Sequence, residues 1–186
     1  MMKGVMMKAK GGPTDTGSQK IVPGHGNLHA DVMFIGEAPG REEDERGLPF
    51  VGPAGDELNE TYVEKGLGLK RADVYVTNCV RVRPVSKTFP AKDRRPTAVE
   101  LERWLPDLRR DIALVRPSVI VVLGTVAAKH LLATKVGVTK LRGAFYEYDG
   151  IRVIATFHPA YVRRDRSKRR EVLADMVKVR AFLGGL

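Results

Sequence analysis

Short apolar runs at residues 32–35, 74–77, 119–123 and 151–156 punctuate the chain, each rich in Val and Ile and bounded by Gly, Asp or Pro. Continuous runs of this kind are the pattern of strands buried on both faces. Between them the apolar positions change to a helical spacing. One helix is expected over residues 54–65. A second opens at Thr97, with Glu100 three residues on as a capping box, and places Leu101, Leu105, Leu108, Ile112 and Val115 on one face. Pro106 lies inside that pattern and should kink the helix or begin a new turn. Further helices are expected over residues 125–132 and 167–182. Strands alternating with helices predict an α/β fold, a three-layer α/β/α arrangement around a central four-stranded parallel sheet. With no internal repeat or linker, residues 1–186 read as a single domain, of which 1–20 form a loosely ordered N-terminal segment.

Composition narrows the partner. Hydrophobic residues make up 43% of the chain, yet no apolar run approaches the ~18 residues of a membrane span. The basic, Met-rich N-terminus lacks the apolar core of a signal peptide. There are 32 Lys+Arg against 22 Asp+Glu, a formal net charge of +10. Such an excess suits a polyanion, because each neutralised phosphate releases counterions. The excess is concentrated in residues 81–95 and 163–170, loop-like sequence that reads as a footprint on a phosphate backbone. The single cysteine, Cys79, permits no internal disulfide, fits a reducing cytoplasm and cannot found a metal site of several thiolates.

Ligands of open parallel sheets sit beyond the carboxyl ends of the strands, and the unusual motifs of this chain stand there. Gly36-Glu37-Ala38-Pro39-Gly40 follows the first run, lets the backbone approach a ligand closely, and is neither a P-loop nor a dinucleotide fingerprint. A long polar stretch then closes on Gly47-Leu48-Pro49-Phe50-Val51-Gly52. Thr77-Asn78 ends the second run, where an asparagine also serves as a simple turn former. Thr156-Phe157-His158-Pro159-Ala160-Tyr161 follows the last run, with a basic segment behind it. An isolated histidine has a structural reading as well as a catalytic one.

Taken in order, Gly36-Glu37-Ala38-Pro39-Gly40, Gly47-Leu48-Pro49-Phe50-Val51-Gly52, Val76-Thr77-Asn78, Leu141-Arg142-Gly143 and His158-Pro159-Ala160 resemble the uracil-DNA glycosylase superfamily, and within it the fourth, thermophile-type family. The resemblance implies cleavage of the bond between uracil and deoxyribose in DNA. It implies that His158 donates toward uracil O2, aided by backbone N–H groups around Glu37 and Ala38, in a loop that Pro39 shapes. Asn78 would read N3–H and O4, Phe50 would stack on the flipped base, and Glu37 would orient water. Glu37, Asn78 and His158 are thus the expected catalytic residues. Lys87, Lys92, Arg94, Arg95, Arg163 and Arg164 are the expected DNA contacts. The expected partner is uracil-containing DNA, met by a monomer in the cytoplasm and at the nucleoid, with no cofactor or metal.

The chain departs from that family at three places. The family holds an iron–sulfur cluster on four cysteines, and the matching positions here carry Ala9, Gly12, Val82 and Arg103. Arg163 stands where the family's duplex-wedging loop has a leucine. Residues 86–95 form a longer and more basic connection than usual. A related group traps uracil on a histidine in this region, but none occurs between His29 and His130. Three alternatives stay open: a metal-dependent nuclease built on Glu37, Glu42, Glu43 and Asp44, a damaged-DNA binding module without catalysis, and a glycosylase for hypoxanthine or xanthine.

Overall fold

In the computed structural model, which describes residues 20–185, all four apolar runs become strands of one sheet. The strands are β1 (His25–Gly26), β2 (Val32–Gly36), β3 (Tyr75–Asn78), β4 (Val119–Leu123), β5 (Phe145–Tyr148) and β6 (Ile151–Thr156). Their order across the sheet is β1-β3-β2-β4-β6-β5. The central neighbours β3, β2, β4 and β6 pair in parallel, while β1 and β5 join the two edges antiparallel. The expected sheet of four strands is therefore corrected to six. The missed edge strand β5 carried a readable signal. Asp149-Gly150, both with positive φ (48° and 80°), turn it directly into β6, as in a two-residue hairpin.

Consecutive residues of β2 and β4 are fully buried, which requires cover on both faces of the sheet. The α-helices are α1 (Arg41–Arg46), α2 (Pro53–Glu57), α3 (Ala98–Val115), α4 (Gly124–Leu131), α5 (Val138–Leu141), α6 (Pro159–Arg164) and α7 (Arg169–Leu183), of which α3, α4, α5 and α7 pack on the strands. α3 opens with the expected cap, the Glu100 N–H donating to Thr97 Oγ1 at 3.2 Å. It runs as one helix through Pro106, so no new helix begins there. Pro106 and Glu102 are both exposed, so the carbonyl that loses its helical donor faces water.

After α2 the chain continues as a π-helix over Leu58–Leu67, where an α-helix is expected. Its buried residues Leu58, Tyr62, Val63 and Leu67 recur at spacings of four and five, which suits the wider winding. Gly66 lies against α7 so closely that a Cβ there would meet Met176 Cβ at 2.6 Å. The tight packing of these two helices anchors the far side of the core from which the site is hung.

Candidate active site

The four parallel strands end side by side, and their carboxyl ends converge. Gly36 is the register partner of Asn78, and Leu123 that of Thr156. The pairing extends past the strands, because Cys79 N–H donates to Gly36 O at 2.9 Å and Val80 N–H to Glu37 O at 3.3 Å. A cleft of about 670 Å³ opens at this point, lined by Glu37, Ala38, Pro39, Phe50, Asn78 and His158 among others. All six expected base-binding residues thus line one cavity.

Asn78 brings an unpartnered acceptor to the cleft. Its side chain is 3% exposed, and its Oδ1 is buried with no hydrogen-bond partner. An orphan acceptor in a folded interior costs free energy, and this one stands at the wall of the cleft. Gly36 makes room for it: a Cβ there would collide with Asn78 Oδ1 and lie 2.6 Å from the Phe50 ring.

His158 supplies a donor. Its Nδ1 accepts the Ala160 N–H at 3.1 Å, so the proton of a neutral imidazole resides on Nε2. Burial, with a smaller contribution from the Arg164 charge, lowers its pKa to about 4. The ring is therefore neutral at pH 7 and presents an N–H. Gly124, at φ +86°, allows the approach, since a Cβ there would stand 3.0 Å from His158 Cβ. The Phe50 ring lies 6.0 Å from the imidazole, tilted by 35°. Glu37 is partly buried, and burial raises its pKa while the Arg95 charge pulls it back.

Sequence reasoning missed the residues that hold these groups in place. Glu43, expected only as one acid of a metal site in the nuclease alternative, is 9% exposed. Its carboxylate accepts N–H groups from Gly40 at 3.2 Å, Val51 at 3.1 Å and Gly52 at 2.9 Å. It staples the Glu37 loop to the Phe50 loop, and hydrogen bonds to a charged group contribute about 1.5–3 kcal/mol each. Phe50 keeps a left-handed backbone, φ 54°, inside that staple, a conformation that costs energy and persists where surroundings impose it. Of the four acids in the nuclease alternative, Glu43 is occupied by this staple. Glu42 pairs with Arg46 and Glu45 with Arg41 along α1, and no acidic or His/Cys group suited to a metal ion occurs among the described residues.

Two further anchors repeat one design. Thr77, next to Asn78, donates to buried Asp111 at 3.0 Å, and Arg81 pairs with the same carboxylate at 2.7 Å. Thr156, two residues before His158, donates to buried Asp175 at 2.7 Å, and Arg142 pairs with it at 2.9 Å. Arg142 also lies over the Phe157 ring at 5.3 Å, while Tyr62 donates to Phe157 O at 2.8 Å. The strand ends that carry Asn78 and His158 are thus each pinned by a Thr–Asp–Arg chain.

The comparisons agree with this geometry. The family model of the uracil DNA glycosylase superfamily matches residues 23–179. The chain belongs to that superfamily. It is 40% identical to a type-4 uracil-DNA glycosylase of Thermotoga maritima over 175 residues, 92% of this chain and 87% of that one. It is 38% identical to the type-4 enzyme of Archaeoglobus fulgidus over 88% of this chain and 82% of that one. Similarity to a type-5 uracil-DNA glycosylase of Pyrobaculum aerophilum is lower, 33% over 75% of this chain and 65% of the relative.

The four-cysteine cluster that the fourth-family resemblance implies does not fit the residues of this superfamily member. The chain has one cysteine, fewer than the four thiolates required. Cys79 is fully buried, and burial pushes its thiol up to about 12. Val82 packs with Val80 and Trp104 against Ala38 and Leu101 in a small apolar cluster, and Arg103 is exposed on α3. Ala9 and Gly12 lie outside the described residues.

Of the expected DNA contacts, Arg94, Arg95 and Arg164 line the cleft. Lys92 and Arg163 line an adjoining hollow of about 510 Å³. Lys87 is exposed on the loop between Val85 and Asp93. Arg94 is also engaged within the protein. Its guanidinium makes two 2.8 Å bonds to Glu100 and one of 3.0 Å to Val85 O, and this pairing pulls Glu100 down to about 2. Arg94 ties the basic loop to the cap of α3. No helix among the described residues is long and apolar enough to cross a membrane.

Proposed function

We propose that this protein hydrolyses the N-glycosidic bond of uracil in DNA, leaving an abasic site for excision repair. The observation that carries the reading is the pairing of a buried, unpartnered Asn78 Oδ1 with a neutral Nε2–H on His158 in one cleft. Asn78 accepts from uracil N3–H and donates through its amide to O4. Cytosine has an acceptor at N3 and a donor at the neighbouring exocyclic group, so it leaves both Asn78 groups buried and unpaired. Phe50 stacks on the base. Ala38 and Pro39 shape the wall, with backbone N–H groups of the Glu37–Ala38 turn facing the base.

As the C1′–N1 bond breaks, the electron pair leaves with uracil and the sugar gains positive charge. His158 donates to O2 and stabilises the departing anion, which is the principle of an oxyanion hole. Glu37, as the carboxylate, orients water toward C1′ and opposes the sugar charge. Water adds to C1′, and the departing base takes up a proton. Reaching the cleft requires the nucleotide to leave the stack, at a cost of a few kcal/mol. Lys87, Lys92, Arg95, Arg163 and Arg164 grip the backbone and offset that cost.

The enzyme works in this reading as a monomer without an iron–sulfur cluster, in the cytoplasm at the nucleoid. Incubation with a uracil·guanine duplex in EDTA, followed by alkali, tests it. Strand breakage at the uracil position by a colourless preparation is the expected result. An intact strand, or a brown cluster-bearing protein, overturns it.

A further inference from the structure

Phe89 is 102% exposed. Apolar side chains scattered singly on a surface are ordinary, but the setting of this one is not. It stands at the apex of a loop that folds back on itself. Ser86 N–H donates to Lys92 O at 2.8 Å, Lys92 N–H to Ser86 Oγ at 3.0 Å, and Val85 bridges Asp93. The base of the loop is braced twice more, by Arg83 on Asp93 at 2.6 Å and by Arg94 on Glu100. Pro84, Asp93, Arg94 and Arg95, at that base, line the cleft.

We propose that Phe89 is a stacking platform for an unpaired DNA base flanking the uracil nucleotide. The inference rests on the uracil-DNA reading of the cleft. An aromatic ring presented on a braced loop loses little further entropy when it is covered. Its neighbours Lys87 and Lys92 carry the charge that a phosphate backbone requires, and the loop is continuous with the cleft wall. Cationic grooves punctuated by aromatic rings are the physical solution for holding single strands, because every base has a π-face. The loop thus covers the gap between reading one base in the cleft and gripping the strand beside it, and it favours substrates whose flanking base is unstacked.

The test measures binding, independent of turnover, on single-stranded oligonucleotides carrying a 2′-fluorinated uracil nucleotide that resists hydrolysis. Phe89→Ala should weaken binding about 5- to 100-fold, and Phe89→Trp should restore it. An abasic spacer moved along the strand on either side of the uracil should cost the wild type affinity at one position, where Phe89→Ala is indifferent. Wild-type affinity in Phe89→Ala, equal spacer losses in both proteins, or full rescue by Phe89→Leu overturns the platform. Excision of uracil by the wild type is scored separately, so loss of the platform with excision intact leaves the cleft's function standing. Failed excision instead strikes the reading on which the platform rests.

Discussion

The backbone N–H of Ala160 points at Nδ1 of His158 from 3.1 Å. One hydrogen bond between residues two apart thereby decides which ring nitrogen holds the proton, and leaves Nε2–H as the group the ring can offer. With the pKa lowered to about 4 by burial and then by Arg164, the imidazole donates as a neutral group. His158→Ala should reduce single-turnover excision about 100- to 1000-fold, the scale of one lost oxyanion donor, with DNA affinity nearly unchanged. Nitrogen NMR of the labelled ring should show the Nε2–H tautomer at pH 7. Full activity in the alanine variant would falsify the role assigned to this ring.

The acid limb of the pH profile should belong to Glu37. The active form is the carboxylate, and burial raises its pKa above the ordinary 4.5. Activity is therefore lost as pH falls through that raised value. Arg95 opposes the rise, so Arg95→Gln should move the midpoint of kcat/KM to higher pH. Glu37→Gln should be slow and lack this limb, retaining only the His158 transition near 4. An unmoved midpoint in Arg95→Gln removes the assignment.

Asn78→Asp should slow excision of uracil and narrow the preference over cytosine, because a carboxylate accepts from the cytosine amino group. Rates on matched uracil and cytosine oligonucleotides give the ratio. Unchanged discrimination with a slowed rate would assign Asn78 to support alone.

Gly36→Ala should fold and fail. Its Cβ would press on Asn78 Oδ1 and on the Phe50 ring at 2.6 Å, displacing the reading group and the stacking ring together. A loss of activity with a melting temperature within a few degrees of wild type is the expected pair of results. Retained activity would mean that the two side chains are free to move aside.

Neutralising Lys87, Lys92, Arg95 and Arg163 together should flatten the slope of log affinity against log salt, by up to ~0.9 for each lost duplex contact. Arg94 is left out of this set because Glu100 already holds it. Arg163→Ala alone should slow excision from duplex more than from single strands, where no stack needs opening. An unchanged slope, with equal losses on both substrates, would place the DNA elsewhere.

What the sequence by itself determined is what depends on neighbours along the chain. The four apolar runs are strands because burial on both faces demands uninterrupted Val and Ile. Thr97 and Glu100 cap α3 because the partners are three residues apart. Asp149-Gly150 was equally legible as a hairpin turn, and reading it would have given β5. Glu37, Asn78 and His158 stand out as motifs at strand ends, where the fold class puts ligands, Phe50 stands out in the polar loop that closes on it, and the family resemblance supplied their expected roles. Only the tertiary structure decided what those residues rest on. Asp111 and Asp175 look like polar interruptions of helical apolar faces until Thr77 and Thr156, 34 and 19 residues away, hand them a hydrogen bond. Glu43 looks like one acid among four until the chain returns eight and nine residues later to place two N–H groups on it. Arg94 reads as one cation of a basic loop, and only folding shows that Glu100 takes both arms of its guanidinium. Periodicity and turn chemistry are written in local sequence, but a charged side chain's role is set by whichever partner folding brings to it.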